Sequence, residues 1–179
     1  MRFNDRITAA RIRDGDVNTF EGFIDQYQDK IFNYCLRLSN KYEFAEELTQ
    51  EAFIKFYQNI ETYDYKKASL STWLFRIAHN LSINAIRDNC HSANELTMKE
   101  ESTSSTLEDQ LIMKEKYDDL LAALQKLPPE GRQMVLLKDY FGFSCHELAD
   151  MFNIPEGTVK SRLHKLRSQL REMLGDYDD

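Results

Sequence analysis

The chain has 179 residues, of which 42% are hydrophobic, and a net charge of −7. This length allows one domain or two small ones, and the acidic balance argues against a protein that coats DNA without specificity. The sequence has no long apolar run and no apolar stretch near its N-terminus, which predicts no membrane insertion and no signal peptide. Three widely spaced cysteines favour a cytoplasmic protein without disulfides. Only six glycines and three prolines predict an all-α fold.

The first two helices are predicted at Phe3–Arg13 and from Asn18 or Thr19 to about Leu38, with a turn at Asp14–Asp16 between them. Apolar residues recur at helical spacing over five turns of the second helix, which predicts a buried face. That face comprises Phe20, Phe23, Ile24, Tyr27, Ile31, Tyr34, Cys35 and Leu38. Cys35 lies within it, so we interpret this cysteine as a small buried hydrophobe and not as a reactive thiol.

A third helix is predicted at Ala45–Ile60, with Leu48, Ala52, Phe53, Phe56 and Ile60 buried. Four polar residues cluster at its predicted start: Glu46, Glu47, Gln50 and Glu51. Acidic side chains at this position are stabilised by the helix dipole, which is one explanation. The other is an acidic surface that binds a basic partner. The residues alone leave both open.

A loop at Glu61–Ser71 combines two tyrosines with Lys66 and Lys67. Aromatic rings that alternate with cations suit single-stranded nucleic acid, because bases stack on rings while lysines meet phosphates. Ser71 or Thr72 is predicted to cap the next helix, whose expected buried residues are Trp73, Leu74, Ile77, Leu81 and Ile86. A polar side is expected from Arg76, His79, Asn80, Asn84 and Arg87. It is either a solvent face or a set of groups that read bases.

Residues 91–113 are poor in apolar side chains and carry a net charge of −4. This composition predicts a flexible acidic linker between two small helical domains, at residues 1–90 and 114–179. Cys90 precedes the linker and His91 begins it, but no second ligand pair has metal-binding spacing. We therefore expect neither a metal nor a cofactor.

The C-terminal domain is predicted to contain helices at Lys114–Leu127 and Glu130–Tyr140, separated by Pro128 and Pro129. The first of these helices should bury Tyr117, Leu120, Leu121 and Leu124. A helix-turn-helix is predicted after them. Ser144 and Glu147 have the spacing of a capping box, Asn153 suits a left-handed turn, and Pro155 suits the first turn of a new helix. Leu148, Ala149 and Phe152 should share one face of the first helix, and Val159, Leu163, Leu166 and Leu170 form the stripe of the second.

The other faces of this last helix hold five Lys or Arg residues between Lys160 and Arg171, with no acid among them. On an isolated helix such cations indicate only a solvated face. Here they follow a tight turn, which is the arrangement that delivers a helix into the DNA major groove. Lys160, Ser161, His164 and Lys165 are candidates for base edges and nearby phosphates, and Arg162, Arg167 and Arg171 for phosphates or for flanks of the core.

Over about residues 5–173 the chain resembles an extracytoplasmic-function (ECF) sigma factor of bacterial RNA polymerase. The matching stretches, in this order, are AEELTQEAFIKFY, STWLFRIAHNLSINAIR, LPPEGRQMVLLKDYFGFSCHELADMF and IPEGTVKSRLHKLRSQL. The resemblance implies a factor that is not an enzyme and that binds core polymerase, through its β′ and β subunits, and promoter DNA. It also implies control by an anti-sigma factor, and passage of the acidic linker through the RNA channel of the polymerase.

The resemblance also implies roles for individual residues. Glu47, Gln50 and Glu51 would dock on the β′ coiled coil. The minus-10 element would be opened and a flipped base captured by Tyr65, Lys66, Lys67, Trp73, Arg76, Asn80, Asn84 and Arg87. The minus-35 element would be read as duplex by Thr158, Lys160, Ser161, Arg162, His164, Lys165 and Arg167.

Two other functions fit parts of the sequence. A transcriptional regulator with a C-terminal helix-turn-helix would bind duplex operator DNA on its own, as a dimer. A helical metalloenzyme would use His79, Cys90, His91 and the N-terminal acids, and it would contain bound metal.

Overall fold

The computed structural model describes the backbone of residues 2–88 and 118–175, and the side chains of residues 4–85 and 118–175. All regular elements in these ranges are helices, as predicted. The chain divides into two compact units, Met1–Leu96 and Thr97–Asp179. The acidic segment 91–113 and the Cys90–His91 pair lie outside the described residues. No helix in the described part of the chain has the length and apolarity needed to cross a bilayer.

Unit 1 contains four α-helices and one 3-10 turn. They are α1 (Arg2–Arg13), α2 (Val17–Ser39), α3 (Tyr42–Gln58), the 3-10 turn (Ile60–Thr62) and α4 (Leu70–Asp88). Helix α2 begins at Val17, before the predicted start at Asn18 or Thr19, and its cap residue is Asp16. The Thr19 amide donates to Asp16 Oδ1 over 3.1 Å, and the Thr19 hydroxyl donates to Oδ2 over 2.8 Å. A carboxylate at this position satisfies one of the free amides with which every helix begins.

The core of unit 1 is formed by α2, α3 and α4. Ile31, Tyr34, Cys35 and Leu38 of α2 are buried as predicted, whereas Phe20, Ile24 and Tyr27 are only half-buried. All five residues predicted for the third helix are buried: Leu48, Ala52, Phe53 and Phe56 on α3, and Ile60 in the 3-10 turn that follows it. Burial raises the pKa of the Cys35 thiol to about 12, which confirms that this cysteine is a core residue and not a thiolate nucleophile.

The buried face of α4 differs from the prediction. Trp73, Ile77 and Leu81 are only half-buried, and the predicted Ile86 lies outside the described side chains. Leu74 is buried as predicted, and Leu70, Phe75, Ala78 and Ser82 complete the core face; His79 is buried with them although it was assigned to the polar side. Both sets have helical spacing and are offset by one position, so periodicity alone does not choose between them. The small side chains of Ala78 and Ser82 mark the face that packs closely: Ser82 Oγ lies 4.0 Å from Cys35 Sγ on α2.

Unit 2 contains α5 (118–126), α6 (Pro129–Val135), a π-helical turn (Leu136–Tyr140), α7 (Cys145–Phe152) and α8 (Glu156–Leu174). On α5, Leu124 is buried as predicted, but Leu121 is half-buried and Leu120 is exposed. Ala123 and Leu127 complete the buried face instead, and the predicted Tyr117 lies outside the described residues.

Arg132 is buried and joins α6 to the end of α5. Its Nε donates to the Leu124 carbonyl over 2.9 Å, and its Nη2 donates to the carbonyls of Gln125 (2.7 Å) and Leu127 (3.3 Å). Nη1 donates to Gln125 Oε1. The guanidinium thus donates to two carbonyls of the last turn of α5 and to the Leu127 carbonyl just after it. The last carbonyls of a helix lack the amides that a further turn would supply, so these bonds close the end of α5. The sequence analysis did not assign a role to Arg132.

The helix-turn-helix has the predicted local geometry. The Glu147 amide donates to Ser144 Oγ over 3.1 Å and the Ser144 amide donates to Glu147 Oε2 over 2.9 Å, which completes the capping box. Asn153 ends α7 in the left-handed conformation, with φ of 53°. Pro155 differs slightly from the prediction: it is the cap residue of α8, one position before the first turn.

The predicted apolar stripe of α8 is buried: Val159, Leu163, Leu166 and Leu170. On α7, Leu148 is buried as predicted, whereas Ala149 and Phe152 are half-buried and Met151 takes the second core position. Gly131 of α6 lies against Leu166, so close that an added Cβ would be 2.6 Å from Leu166 Cδ2. This close packing fixes α8 with its other faces directed to solvent.

Candidate nucleic-acid interface

The outer face of α8 carries the residues that the sequence analysis assigned to duplex DNA. Lys160, Arg162, His164 and Lys165 are exposed, and none of them contributes to the buried stripe. Ser161 is also exposed, and its hydroxyl donates to the Thr158 carbonyl over 3.0 Å. Thr158 itself is half-buried at the start of the helix. A helix held by one apolar stripe, with cations on its other faces, has the form of a recognition helix.

Two of these cations are paired with carboxylates within unit 2. Lys160 Nζ lies 2.7 Å from Glu156 Oε1, and this hydrogen bond lowers the pKa of Glu156 and raises that of Lys160. Arg167 Nε donates to Asp139 Oδ2 over 3.1 Å, and its Nη2 donates to Oδ1. Exposed ion pairs contribute little to stability, so both cations can exchange these partners for phosphates.

A groove of about 270 Å³ runs along α8 in unit 2. It is lined by Lys138, Cys145, Lys160, Leu163, His164, Arg167 and Arg171. Lys138 comes from the π-helical turn, and its Nζ donates to the Phe143 carbonyl over 3.0 Å. The sequence analysis missed Lys138 as a member of this basic surface, because its position beside α8 follows only from the tertiary packing.

Unit 1 contains a second groove, between the end of α3 and the half-buried face of α4. This cleft has a volume of about 310 Å³ and is lined by Lys55, Asn59, Thr62, Trp73, Ile77, Asn80, Leu81 and Asn84. Three of the residues predicted for the minus-10 element therefore lie together: Trp73, Asn80 and Asn84. The apolar side chains of α4 form one part of the wall, and amide and hydroxyl groups form the rest. Its volume is at the lower end of the range for small-ligand pockets.

The other residues predicted for the minus-10 element do not line this cleft. Lys66 and Lys67 are exposed in the loop, and Arg76 is exposed on α4. Tyr65 is half-buried, with the guanidinium of Arg6 5.3 Å from its ring centroid. The side chain of Arg87 lies outside the described residues.

Tyr63, the other tyrosine of the loop, is a structural residue. It is buried, its hydroxyl donates to the Ala68 carbonyl over 2.9 Å, and its ring centroid lies 5.3 Å from that of Trp73. Its ring is therefore committed to the fold of the loop and supports one side of Trp73.

The sequence analysis missed three residues of the cleft wall: Lys55, Asn59 and Thr62. They belong to the last turn of α3 and the 3-10 turn after it. Asn59 Nδ2 donates to the Lys55 carbonyl over 2.8 Å, and Thr62 Oγ1 donates to the Asn59 carbonyl over 2.7 Å. No spacing pattern connects them with α4, because only the packing of α3 on α4 brings them opposite Asn80.

The acidic side chains of α3 form a third surface. The helix begins at Tyr42, three residues before the predicted start, so only Glu43 lies in its first turn. Glu46, Glu47 and Gln50 are exposed further along the helix. Because the helix dipole acts only within the first turn, it does not account for this cluster.

Two further residues complete this acidic surface. Glu51 forms an i, i+4 pair with Lys55 over 3.1 Å, and Ile54 is 55% exposed beside it. An apolar side chain bordered by carboxylates is the composition expected of a surface that docks a basic partner.

No three His, Cys, Asp or Glu side chains in the described ranges come together as a metal site. Cys90 and His91 lie outside those ranges, and His79 is buried in the core of unit 1. The metalloenzyme alternative therefore has no support from the part of the chain that the structure describes.

Comparison with known proteins supplies the family. Residues 23–90 match the model of sigma-70 region 2, and residues 117–170 match that of sigma-70 region 4. The chain is 34% identical over 177 residues to the ECF RNA polymerase sigma factor SigW of Bacillus subtilis (strain 168), an alignment that covers 93% of this chain and 94% of that protein. This chain belongs to the ECF sigma factors.

A second relative of this ECF sigma factor is the ECF RNA polymerase sigma factor SigE of Mycolicibacterium smegmatis (strain ATCC 700084 / mc(2)155). It is 32% identical over 164 residues, which cover 89% of this chain and 63% of that protein. The fold is similar to that of the sigma factor RpoE from Bartonella quintana, solved in complex with the anti-sigma factor NepR. The TM-score is 0.72 at 24% identity, and 91% of this chain and 100% of that chain are covered. The region 2 match lies in unit 1, and the region 4 match lies in unit 2.

Proposed function

We propose that this ECF sigma factor reads a promoter with two surfaces of different kinds, one in each unit. Residues 1–90 bind core polymerase and the minus-10 element, and residues 114–179 bind the minus-35 element. The observation that carries the proposal is the presence in one chain of a polar cleft beside Trp73 and of an exposed cationic face on α8. An ordinary duplex-binding regulator needs only the second of these.

In unit 2, α8 enters the major groove of the minus-35 element. Lys160, Ser161, His164 and Lys165 face the base edges and the nearest phosphates. Arg162, Arg167 and Arg171 contact phosphates, and Lys138 extends the same basic surface. Phosphate contacts fix the register of the helix, and base contacts give the specificity.

In unit 1, the cleft receives an unpaired base of the non-template strand. The half-exposed ring of Trp73 offers a stacking surface, and the amides of Asn80 and Asn84 offer both donors and acceptors to the edge of the base. Stacking of this kind contributes about 1–3 kcal/mol per base, which offsets the few kcal/mol that unpairing costs. The exposed Lys66 and Lys67 of the loop, together with Arg76 and Arg87 of α4, hold the strand by its phosphates. Tyr65 adds a second ring near the path of the strand.

Core polymerase supplies the frame on which the two weak sites act together. The acidic surface of α3, with Glu47, Gln50 and Glu51, docks on the basic coiled coil of β′, and residues 91–113 follow the RNA channel between the two sites. Holding both units on one rigid body raises the effective concentration of the second contact once the first has formed. Affinity for promoter DNA is therefore low until polymerase is bound.

This factor works by binding, not by catalysing a reaction, and acts in the cytoplasm. We further propose that an anti-sigma factor controls it by covering the same surfaces. The complex of RpoE with NepR from Bartonella quintana supports this, because a factor of similar fold is bound there to an anti-sigma factor. The uneven distribution of charge on this chain, with acids on α3 and cations on α8, fits a partner that covers both kinds of surface.

The test is transcription reconstituted from core polymerase, this protein and a promoter library, with the start sites sequenced. Discrete starts that share two upstream elements would support the proposal and would define the recognition sequence. Failure to start transcription, together with failure to migrate with core polymerase, would refute it.

The regulator alternative is separated by binding to duplex DNA without polymerase. We expect the free protein to give no footprint on promoters that it uses in the holoenzyme. A nanomolar footprint from a dimer of the free protein would favour the regulator instead.

Asn80→Ala is expected to reduce promoter opening about tenfold, because it removes one or two hydrogen bonds to the captured base. Opening is measured with a fluorescent base analogue in the minus-10 element of a promoter mapped as above. Asn18→Ala is the control, since Asn18 is an exposed asparagine of the same unit. Normal opening by the Asn80 variant would remove this residue from the base site.

Glu47→Lys is expected to weaken binding to core polymerase about tenfold or more, because it places a cation against a basic partner. Glu51→Lys should act in the same direction and also breaks the pair with Lys55. Competition for core polymerase against a labelled wild-type chain measures both effects. Asp25→Lys, at an exposed position on α2, makes the same change in charge and should leave binding intact. Equal loss from Asp25→Lys would show that only net charge matters.

A further inference from the structure

Helix α1 contacts residues 59–70, the segment that leads from the cleft to α4, at three points. At the start of the segment, Arg13 Nη2 donates to the Ile60 carbonyl over 3.2 Å, and Arg13 Nε lies 2.9 Å from Glu61 Oε2. In the middle, Arg6 lies over the ring of Tyr65. At the end, the Leu70 amide donates to Asp5 Oδ2 over 3.3 Å. Three polar residues of α1 thus contact the beginning, middle and end of one segment.

Helix α1 is itself fixed to unit 1 by apolar packing. Ala9 and Ile12 are buried, with exposures of 3% and 1%. The contacts of Arg13 and Asp5 span 47 and 65 positions of the chain, so they connect parts of unit 1 that local folding does not bring together. Because α1 also packs on α2, it can hold the segment in one position.

The Arg13 contacts lie between two residues of the cleft wall. Ile60 and Glu61 stand in the chain between Asn59 and Thr62, and both of these line the cleft opposite Trp73 and Asn80. Asn59 directly precedes the 3-10 turn and Thr62 is its last residue, and the turn has only three residues. So short a turn is weakly held by its own hydrogen bonds, and an outside restraint has a correspondingly large influence on its position.

We propose that Arg13 is a positioning residue for the minus-10 cleft: through the Ile60 carbonyl and Glu61 it holds Asn59 and Thr62 at the correct distance from Trp73 and Asn80. This inference rests on the proposed function of the cleft. A recognition site whose wall is fixed before binding does not lose the freedom of that wall when the base enters. Without Arg13 the positions of Asn59 and Thr62 are less restrained. The cleft then binds the base more weakly, while the phosphate contacts of the strand remain.

The experiment measures how tightly holoenzyme binds a fluorescent single-stranded oligonucleotide with the non-template sequence of a mapped minus-10 element. A second set of oligonucleotides carries an abasic site at each position in turn. For wild-type holoenzyme, one abasic position should weaken binding about tenfold, which is the contribution of the captured base. For Arg13→Ala this penalty should fall below about threefold, with little change in the affinity for the abasic strand itself.

Two further variants make the result specific. Arg11→Ala removes the same charge from an exposed position of α1 and should keep the full abasic penalty. Glu61→Gln removes the ion pair from an exposed side chain and should lower the penalty in the same direction by a smaller factor. It also provides a second test if Arg13→Ala fails to fold. Thermal unfolding followed by the fluorescence of Trp73 shows whether unit 1 of each variant is folded.

Asn80→Ala, measured in parallel, separates the two proposals. If Asn80→Ala removes the abasic penalty but Arg13→Ala and Glu61→Gln preserve it, the positioning role is wrong and the cleft assignment stands. The positioning role is also wrong if Arg13→Ala weakens binding of intact and abasic strands by the same factor. If Asn80→Ala has no effect on the penalty at any position, the cleft is not the base site, and the inference about Arg13 is overturned with it.

Discussion

Reversing the charge of both Lys160 and Lys165 to glutamate is expected to lower transcription from a promoter with a minus-35 element by about 100-fold or more. Both side chains are exposed on α8, and neither touches the buried stripe formed by Val159, Leu163, Leu166 and Leu170. Two cations next to phosphates would become two anions there, so attraction is replaced by repulsion. Glutamate at position 160 would also lie one helical turn from Glu156, the present partner of Lys160.

The measurement compares two promoters that differ only in the minus-35 element, one intact and one randomised. Wild-type holoenzyme should prefer the intact promoter strongly, and the double variant should transcribe both equally weakly. Binding to core polymerase should not change, because the proposed docking surface is in unit 1. Lys126→Glu reverses the charge of an exposed residue on α5. It is the control for a charge reversal in unit 2 that lies outside α8. If the double variant keeps its preference for the intact element, α8 is not the reader.

The dependence on salt adds an independent check of the contact type. Each phosphate contact that is lost should reduce the slope of log affinity against log salt concentration by about one. Arg167→Ala tests whether Arg167 contacts a phosphate or serves mainly as the partner of Asp139. If the Asp139 pair is its main role, Arg167→Ala leaves this slope unchanged and affects only the packing of α8 on the π-helical turn.

The parts of the fold that depend on neighbouring residues could be predicted from sequence. The capping box of Ser144 and Glu147, the left-handed Asn153 and the buried stripe of α8 are all set by residues within a few positions of each other. Such local patterns predict the recognition helix well, because cap and stripe fix its start and its rotation. The same reasoning identified Cys35 as a core residue.

Features that depend on packing between distant elements could not be predicted in this way. On α4 the predicted stripe through Trp73, Ile77 and Leu81 competes with one through Leu74, Ala78 and Ser82. The choice between these two stripes depends on how closely α2 approaches. Asn59 became part of the cleft only because the end of α3 packs on α4. The start of α3 at Tyr42 was missed because Lys41 offers no capping side chain that would mark it. In the first two cases the deciding contact joins residues far apart in the chain, and in the third a local signal is absent.

Arg132→Met is expected to destabilise unit 2 by about 3–5 kcal/mol, because it removes a buried guanidinium that donates to three backbone carbonyls in the last turn of α5 and just after it. Burial lowers the pKa of this guanidinium, which shows that desolvation already opposes its charge and that the hydrogen bonds compensate for it. A unit of about 60 residues has a free energy of unfolding of only about 3–9 kcal/mol. The loss is therefore large enough to unfold much of unit 2.

Trp73 is the single tryptophan of the chain, so the unfolding of unit 1 can be followed separately from that of the whole chain. It lies in unit 1, so its fluorescence follows the unfolding of that unit, whereas far-UV circular dichroism follows the helices of both. In Arg132→Met the fluorescence transition should stay where it is in wild type, and part of the circular dichroism signal should be lost at lower temperature. Lys126→Met, which removes an exposed cation from α5, should change neither transition appreciably.

The functional consequence follows from the proposed division of labour. The Arg132→Met holoenzyme should still form, because α3 is intact, but it should no longer distinguish an intact minus-35 element from a randomised one. The charge-reversed α8 should give the same loss of preference with a fully folded unit 2. Agreement of the two variants in transcription, and their difference in thermal unfolding, would show that Arg132 acts by keeping α8 folded onto α6. If the two probes of unfolding shift together in Arg132→Met, the units do not unfold independently, and the effect on transcription must be assigned to the whole chain.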